Sequence, residues 1–222
     1  MPARWRTRRQ VRSAFEEREK AELNMWNKTT PAPGGDRWFW PAWGAAFLGF
    51  PIGGAAAYLL LGPIGTVGTA VIAGAVAGAA IGAAQWLVLR RRLPLSALWV
   101  LATACAMAIG LGLGHLLLGD NTAMPPLLLR GLIAGVAIGG VQAALLRGVL
   151  PTPWVWAAAV TVAWALGWAV TAAAGIDLPR KWAVFGASGA LTFQLVTGAT
   201  LAYLLRRNTS AVTPAPAVAP GV

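Results

Sequence analysis

Gly74 to Pro94 reads GAVAGAAIGAAQWLVLRRRLP, and Gly131 to Pro151 reads GLIAGVAIGGVQAALLRGVLP. Each stretch stacks three glycines four residues apart (Gly74, Gly78 and Gly82; Gly131, Gly135 and Gly139), sets a glutamine three residues further on (Gln85, Gln142), and closes with arginine and then proline (Arg90 and Pro94; Arg147 and Pro151). A four-residue spacing returns to one face of an α-helix, so the glycines form a stripe. In an apolar helix such a stripe lets a neighbouring backbone come close, which drives association where lipid is as apolar as the side chains. The stretch therefore predicts a membrane helix packed through its glycine face.

Shifting the chain by 57 residues and comparing Gly74–Gly114 with Gly131–Thr171 gives 16 identities in 41 positions, nine of them Gly or Ala. The other seven are Ile81, Gln85, Leu89, Arg90, Leu93, Pro94 and Trp99 with their partners, and Arg, Pro and Trp are scarce inside the apolar segments. Their joint recurrence points to a duplicated unit two helices long, whose copies keep one orientation in the membrane and are parallel repeats. Gly53 sits 57 before Gly110, and Gly186, Ala190, Gln194 and Gly198 form one more four-residue ladder. Three hairpins in a rough pseudo-threefold arrangement are expected.

With 57% hydrophobic side chains and 11% charged, the chain is far from a soluble average, and hydrocarbon is its expected solvent. A spanning helix needs about 20 mostly apolar residues. Six such stretches are read: Trp38–Leu61, Ile64–Leu89, Ala97–Leu118, Pro125–Leu146, Trp154–Gly175 and Lys181–Leu205. The expected fold class is all-α, a polytopic six-helix transmembrane bundle built from tandem two-helix repeats over residues 37–207.

The net charge of +11 does not point to nucleic acid, because of where the cations fall. Arg4, Arg6, Arg8, Arg9, Arg12, Arg18, Lys20, Lys28 and Arg37 precede the first span, while Arg90 to Arg92, Arg147, Arg206 and Arg207 follow the even ones. Only Arg130, Arg180 and Lys181 fall toward the other side. The positive-inside rule then places both termini in the cytoplasm, with some affinity for anionic lipid, and the abundance of Arg, Ala and Gly with few Lys points to a high-GC genome and so to a bacterial inner membrane. Residues 1–36 read as a basic leader with an interfacial amphipathic helix or a solvated charged one, followed by a turn-rich linker. The first span is expected to act as an uncleaved insertion signal. Residues 208–222, rich in Pro and Ala, are expected to be disordered.

Trp38, Trp40, Trp43, Trp86, Trp99, Trp154 and Trp156 all fall near arginine-marked ends and are expected at headgroup level. Trp164 and Trp168 lie deeper, as lipid-facing or packing residues. Cys105, the one cysteine, can form no internal disulfide and reads as a small packing residue.

Three groups of residues could carry chemistry. Gln85 and Gln142, with Gln194, are buried amides that serve either as interhelical hydrogen bonds or as the lining of a solute cavity. His115 and Arg130 gather with Asp120, Asn121, Asp177, Arg180 and Lys181 at the outer ends; Arg130 is either a snorkelling side chain or a ligand site. His115, the one histidine, leaves room for no protein metal centre and at most for one axial contact to a porphyrin. Gly186 to Phe193, GASGALTF, resembles the G-x-S-G nucleophile helix of rhomboid intramembrane proteases over about eight residues. That likeness implies Ser188 as nucleophile and a histidine on a later helix. No histidine follows Ser188, so small-residue packing is the expectation.

All seven Asp and Glu fall in the leader or in connecting segments, which disfavours ion-coupled transport and carboxylate-based catalysis. No phosphate-binding, dinucleotide or metal motif occurs. The expected function is a non-enzymatic membrane scaffold or binding subunit whose glycine faces pack internally or against other membrane subunits or further copies of the chain. The alternatives are a small-solute permease with a Gln-lined cavity and, more remotely, an intramembrane hydrolase. No cofactor is assigned.

Overall fold

The computed structural model describes residues 38–175 and 186–212, with side chains described through position 207. The leader, the linker, the segment carrying Asp177, Arg180 and Lys181, and positions 213–222 lie outside the described residues. Among the described residues there are six membrane-length α-helices: α1 (Phe39–Leu61), α2 (Val67–Leu89), α3 (Leu98–Leu118), α4 (Met124–Leu145), α5 (Pro153–Ala173) and α6 (Ala187–Val212, apolar through Arg207). Each has an apolar length of 21 to 23 residues, or about 32 to 35 Å at 1.5 Å per residue, which matches a hydrocarbon core of about 30 Å. No strand occurs among the described residues.

Local chemistry sets the boundaries. α2 begins at Val67 and not at Ile64, because Gly62 turns the chain at φ 70° and Pro63 follows it. Thr66 then caps the helix: its Oγ1 accepts from the Thr69 N–H (3.1 Å), and the Thr69 Oγ1 accepts from the Thr66 N–H (3.0 Å). Such a box satisfies two otherwise orphaned donors. Thr66→Ala should cost about 1 kcal/mol, measured as a lowered midpoint of thermal unfolding in detergent. α1 tightens to a 3-10 turn at Ala46–Leu48. Pro51 has no N–H to offer the Phe47 carbonyl, so the regular ladder fails there.

At the other end of the chain two expectations are corrected. Gly186 stands outside the helix and α6 starts at Ala187, while the expected start at Lys181 is not described. The helix also runs on to Val212, so positions 208–212, expected to be disordered, are helical.

Each helix packs on its neighbours in sequence, and α6 returns to the first half of α1, closing a ring. The glycine stripes lie at two of these seams. A methyl group on Gly74 would sit 2.7 Å from the Met107 carbonyl oxygen and 2.8 Å from the Ala108 Cα; on Gly131 it would sit 2.9 Å from the Trp164 carbonyl oxygen and 2.7 Å from the Ala165 Cα. Gly78 faces Ala104 and Gly135 faces Thr161, while Gly82 faces Val100 and Gly139 faces Ala157. All these partner pairs differ by 57 positions. The same shift relates Gly53 on Ala77, between α1 and α2, to Gly110 on Ala134, between α3 and α4. Between α6 and α1 the contact is different: Gly198 meets the rings of Trp40 and Trp43 instead of backbone.

Aromatic side chains fill the inside of the ring in two tiers. Trp156 lies between Trp43 (6.1 Å between ring centroids) and Trp99 (6.4 Å). Deeper, Phe50, Trp164 and Phe193 meet at 5.1 to 6.2 Å. This corrects the expectation that seven tryptophans mark the headgroup level. Trp38 and Trp154 are 66% and 69% exposed, and Trp40 is also exposed, but Trp43, Trp99 and Trp156 are 1%, 1% and 0% exposed. Helical phase decides between them: Trp43 shares the inward face of Phe39, Ala46 and Phe50, whereas Trp154 lies two positions, hence about 200°, from Trp156. Trp164 and Trp168 are packing residues and not lipid-facing. Cys105 lies on the exposed face of α3 with Leu101 and Ile109, opposite the side on which it would pack.

Candidate functional site

The buried polar residues Gln85, Thr103, Gln142 and Gln194 bond among themselves or to the backbone and rings of Trp43, Trp99 and Trp156. Gln85 on α2 and Gln142 on α4 sit on the faces that hold the glycine stripes, and the close backbone approach at those stripes carries both amides into the interior. The Gln142 Nε2 donates to the Gln85 Oε1 (3.1 Å) and to the Thr103 Oγ1 (3.0 Å). Its Oε1 accepts from the Trp156 Nε1 (3.0 Å). The Thr103 hydroxyl in turn donates to the Trp99 carbonyl (2.8 Å). A primary amide has two N–H donors, so Gln142 has committed both and its oxygen as well. One side chain thereby ties α2, α3, α4 and α5 together away from water.

Gln194 stands apart from this network. Its Nε2 donates to the Trp43 carbonyl, and the Trp43 Nε1 donates back to the Gln194 carbonyl (3.2 Å), a reciprocal pair that fastens α6 to α1. Gln194 therefore bonds to Trp43, while Gln85 and Gln142 bond to each other. Two atoms near this tier, the Trp99 Nε1 and the Gln194 Oε1, are buried without a hydrogen-bond partner among the described residues.

At the opposite ends of the helices, Arg130 reaches from α4 to the end of α3, where its Nη2 donates to the Gly119 carbonyl. Gly119 ends the helix with φ 57°, so the guanidinium meets carbonyls that have no intrahelical donor and the negative end of the helix dipole. Gly114 makes the path: a methyl there would lie 3.0 Å from the Arg130 Cγ. His115 Nδ1 lies 3.8 Å from the carboxylate of Asp120, the residue that follows the Gly119 whose carbonyl Arg130 meets. The structure thus brings His115, Asp120 and Arg130 together and gives Arg130 a helix-capping task. Among the described residues no three of His, Cys, Asp and Glu gather as metal ligands.

Ser188 lies in the first turn of α6 with an unpartnered Oγ. Its helix packs on α5 and α1, whereas that of His115 packs on α2 and α4, so the two do not assemble as nucleophile and base. Two members of the amide network were not singled out from the sequence, Thr103 and Trp156. Thr103 had no signal there, because its counterpart 57 positions on is Val160. Trp156 had one, as the counterpart of Trp99, but it was assigned to the interface. Comparison with protein-family models, with curated proteins and with solved structures gives no match, so function rests on the geometry of this chain alone.

Proposed function

We propose that the chain is a non-enzymatic integral membrane scaffold or binding subunit, working through its surface and not through an internal site. The observation that carries this reading is the Gln142 amide, whose two N–H donors go to Gln85 and Thr103 and whose oxygen accepts from Trp156, inside an aromatic-filled ring. A transport path needs polar groups free to exchange partners with a solute, and the Gln142 amide is committed to neighbouring helices. The 57-residue register of the glycine contacts supports tandem duplication of a two-helix unit as the origin of the ring. The arginines at the ends of α2, α4 and α6 support an orientation with both termini cytoplasmic, and the Arg-, Ala- and Gly-rich, Lys-poor composition supports a bacterial inner membrane. Partners on this reading are the lipid bilayer and other membrane subunits or further copies of this chain.

Purification in a mild detergent tests the proposal, with mass spectrometry reporting partners and an absorption spectrum reporting pigments. Stoichiometric recovery of a second membrane protein, or a defined homo-oligomer, is the expected result. One specific observation favours the permease alternative: the buried, unpartnered Trp99 Nε1 and Gln194 Oε1 could be served by a polar solute. A lone monomer that moves solute into vesicles, and stops doing so in the Gln85→Leu/Gln142→Leu double variant, would replace the scaffold reading with that one.

A further inference from the structure

We propose that the interior of the ring binds a water molecule on the Trp99 Nε1, so that water serves the first Trp and Gln pair where protein serves the second. The proposal is independent of the scaffold reading, which concerns the outer surface of the ring.

The 57-residue register locates the site. Trp99 corresponds to Trp156, and Gln85 to Gln142. In the later pair the indole has its acceptor, since the Trp156 Nε1 donates to the Gln142 Oε1 (3.0 Å). In the earlier pair the corresponding oxygen, the Gln85 Oε1, faces the Gln142 Nε2 instead (3.1 Å), and the Trp99 Nε1 is buried with no partner among the described residues. An indole N–H is a donor only. Unserved and away from water, such a group costs more than a hydrogen bond contributes.

Trp99 has no local remedy. A buried threonine hydroxyl rotates about one bond onto the carbonyl one turn back, as those of Thr103 and Thr197 do. The Trp99 N–H is fixed in a ring that packs on Trp156 at 6.4 Å between centroids. Its acceptor must therefore come from outside the polypeptide.

The same packing sets the size and class of that acceptor. Trp156 also meets Trp43 at 6.1 Å, and both separations are those of aromatic rings in direct contact. An occupant larger than water would have to part them. Water accepts from the indole and donates onward to oxygens that take a second bond: the Gln142 Oε1 accepts one from Trp156, and the Thr103 Oγ1 accepts one from Gln142. Two to four such bonds are what a buried water makes. Trp99 is also the second residue of α3, so the site lies near one end of the span and water reaches it across little hydrocarbon.

The experiment uses the full chain in lipid nanodiscs with isotope-labelled tryptophan, and reads magnetisation transfer from water to each indole N–H by NMR. The loss of one signal in Trp99→Phe and of another in Trp156→Phe assigns the two. The Trp99 N–H should show a dipolar cross-peak to a long-lived water, and the Trp156 N–H, which has a protein acceptor, should show none. A silent Trp99 would overturn the proposal, as would equal cross-peaks at both, which would mean general penetration of water. A second measurement separates a hydrated indole from a dry one. A benzothiophene analogue incorporated at position 99 alone exchanges the N–H for sulfur at nearly constant shape. Loss of a bond to water should raise the unfolding equilibrium constant about fivefold. An unchanged or lower constant would show that the N–H had no ligand and would overturn the proposal. So would native mass spectrometry that finds an organic molecule bound one to one, with its protons giving the Trp99 cross-peak in place of water; the scaffold reading would still stand or fall on its own test of partners.

Discussion

Replacing Gly135 with alanine should destabilise the protein by about 3 kcal/mol, while the same change at Gly140, five residues along the same helix, should stabilise it by up to about 1 kcal/mol. The two sites share helix and chemistry but differ in what a methyl group meets. At Gly135 it would lie 2.5 Å from the Thr161 Cα and 2.9 Å from its carbonyl oxygen; at Gly140 nothing lies within 4 Å. Backbone cannot rotate away as a side chain can, so α4 and α5 must move apart, and the tight contacts at Gly131 and Gly139 loosen with them. At Gly140 only the conformational cost of glycine in a helix is removed. Unfolding midpoints in the same detergent measure both, and shifts of one sign for the two variants would remove the glycine seam as the reason for the packing.

Gln142→Leu should be the most damaging change in the polar network, at about 3 kcal/mol, and should exceed Gln85→Leu, at about 1 kcal/mol. Gln142 makes three side-chain hydrogen bonds, to Gln85, Thr103 and Trp156, whereas the Gln85 Oε1 accepts from Gln142 alone. Without the Gln142 amide, the Trp156 N–H and the Gln85 oxygen are left buried and unserved, and desolvated groups of that kind cost more than the bonds themselves contributed. Without the Gln85 amide, Gln142 keeps Thr103 and Trp156. The double variant should lose less than the two single losses added, because both delete one shared contact. Chemical unfolding of the three variants gives the ordering, and a Gln85→Leu loss equal to that of Gln142→Leu would show that the amide is not the hub.

The reach of the sequence differs from element to element. Hydropathy locates five of the six spans within about three residues, since a run of apolar residues long enough to cross lipid has few other uses, while α6 starts six residues after the expected Lys181. The misplaced start of α2 came from reading apolar Ile64 as helix, although the Gly62 and Pro63 pair breaks the chain and Thr66 supplies the cap. The ladders of α2 and α4 lie at helix seams, where a methyl on Gly74, Gly78, Gly131 or Gly135 would come within 3 Å of neighbouring backbone, whereas Gly198 of the third ladder faces tryptophan rings. The ladder alone did not name the partner helix.

Tryptophan was the residue most easily misread. Its amphipathic ring suits headgroups, so Trp43, Trp99 and Trp156 looked like the exposed Trp38 and Trp154, and only helical phase around a closed ring separates the two sets. The glutamines were recognised as buried amides, but their grouping was not legible: Gln85 and Gln142 meet while Gln194 pairs with Trp43 instead.

What the sequence by itself determined is the number of spans, their alternating direction and which faces are made of small residues, because these depend on periodicity and length along a single helix. What only the tertiary structure decided is the partner of each buried donor and acceptor, and whether a ring at the membrane edge turns inward or outward. Those depend on the rotation of each helix about its own axis relative to its neighbours. Close packing fixes that rotation for the whole ring at once, and no local stretch of the chain encodes it.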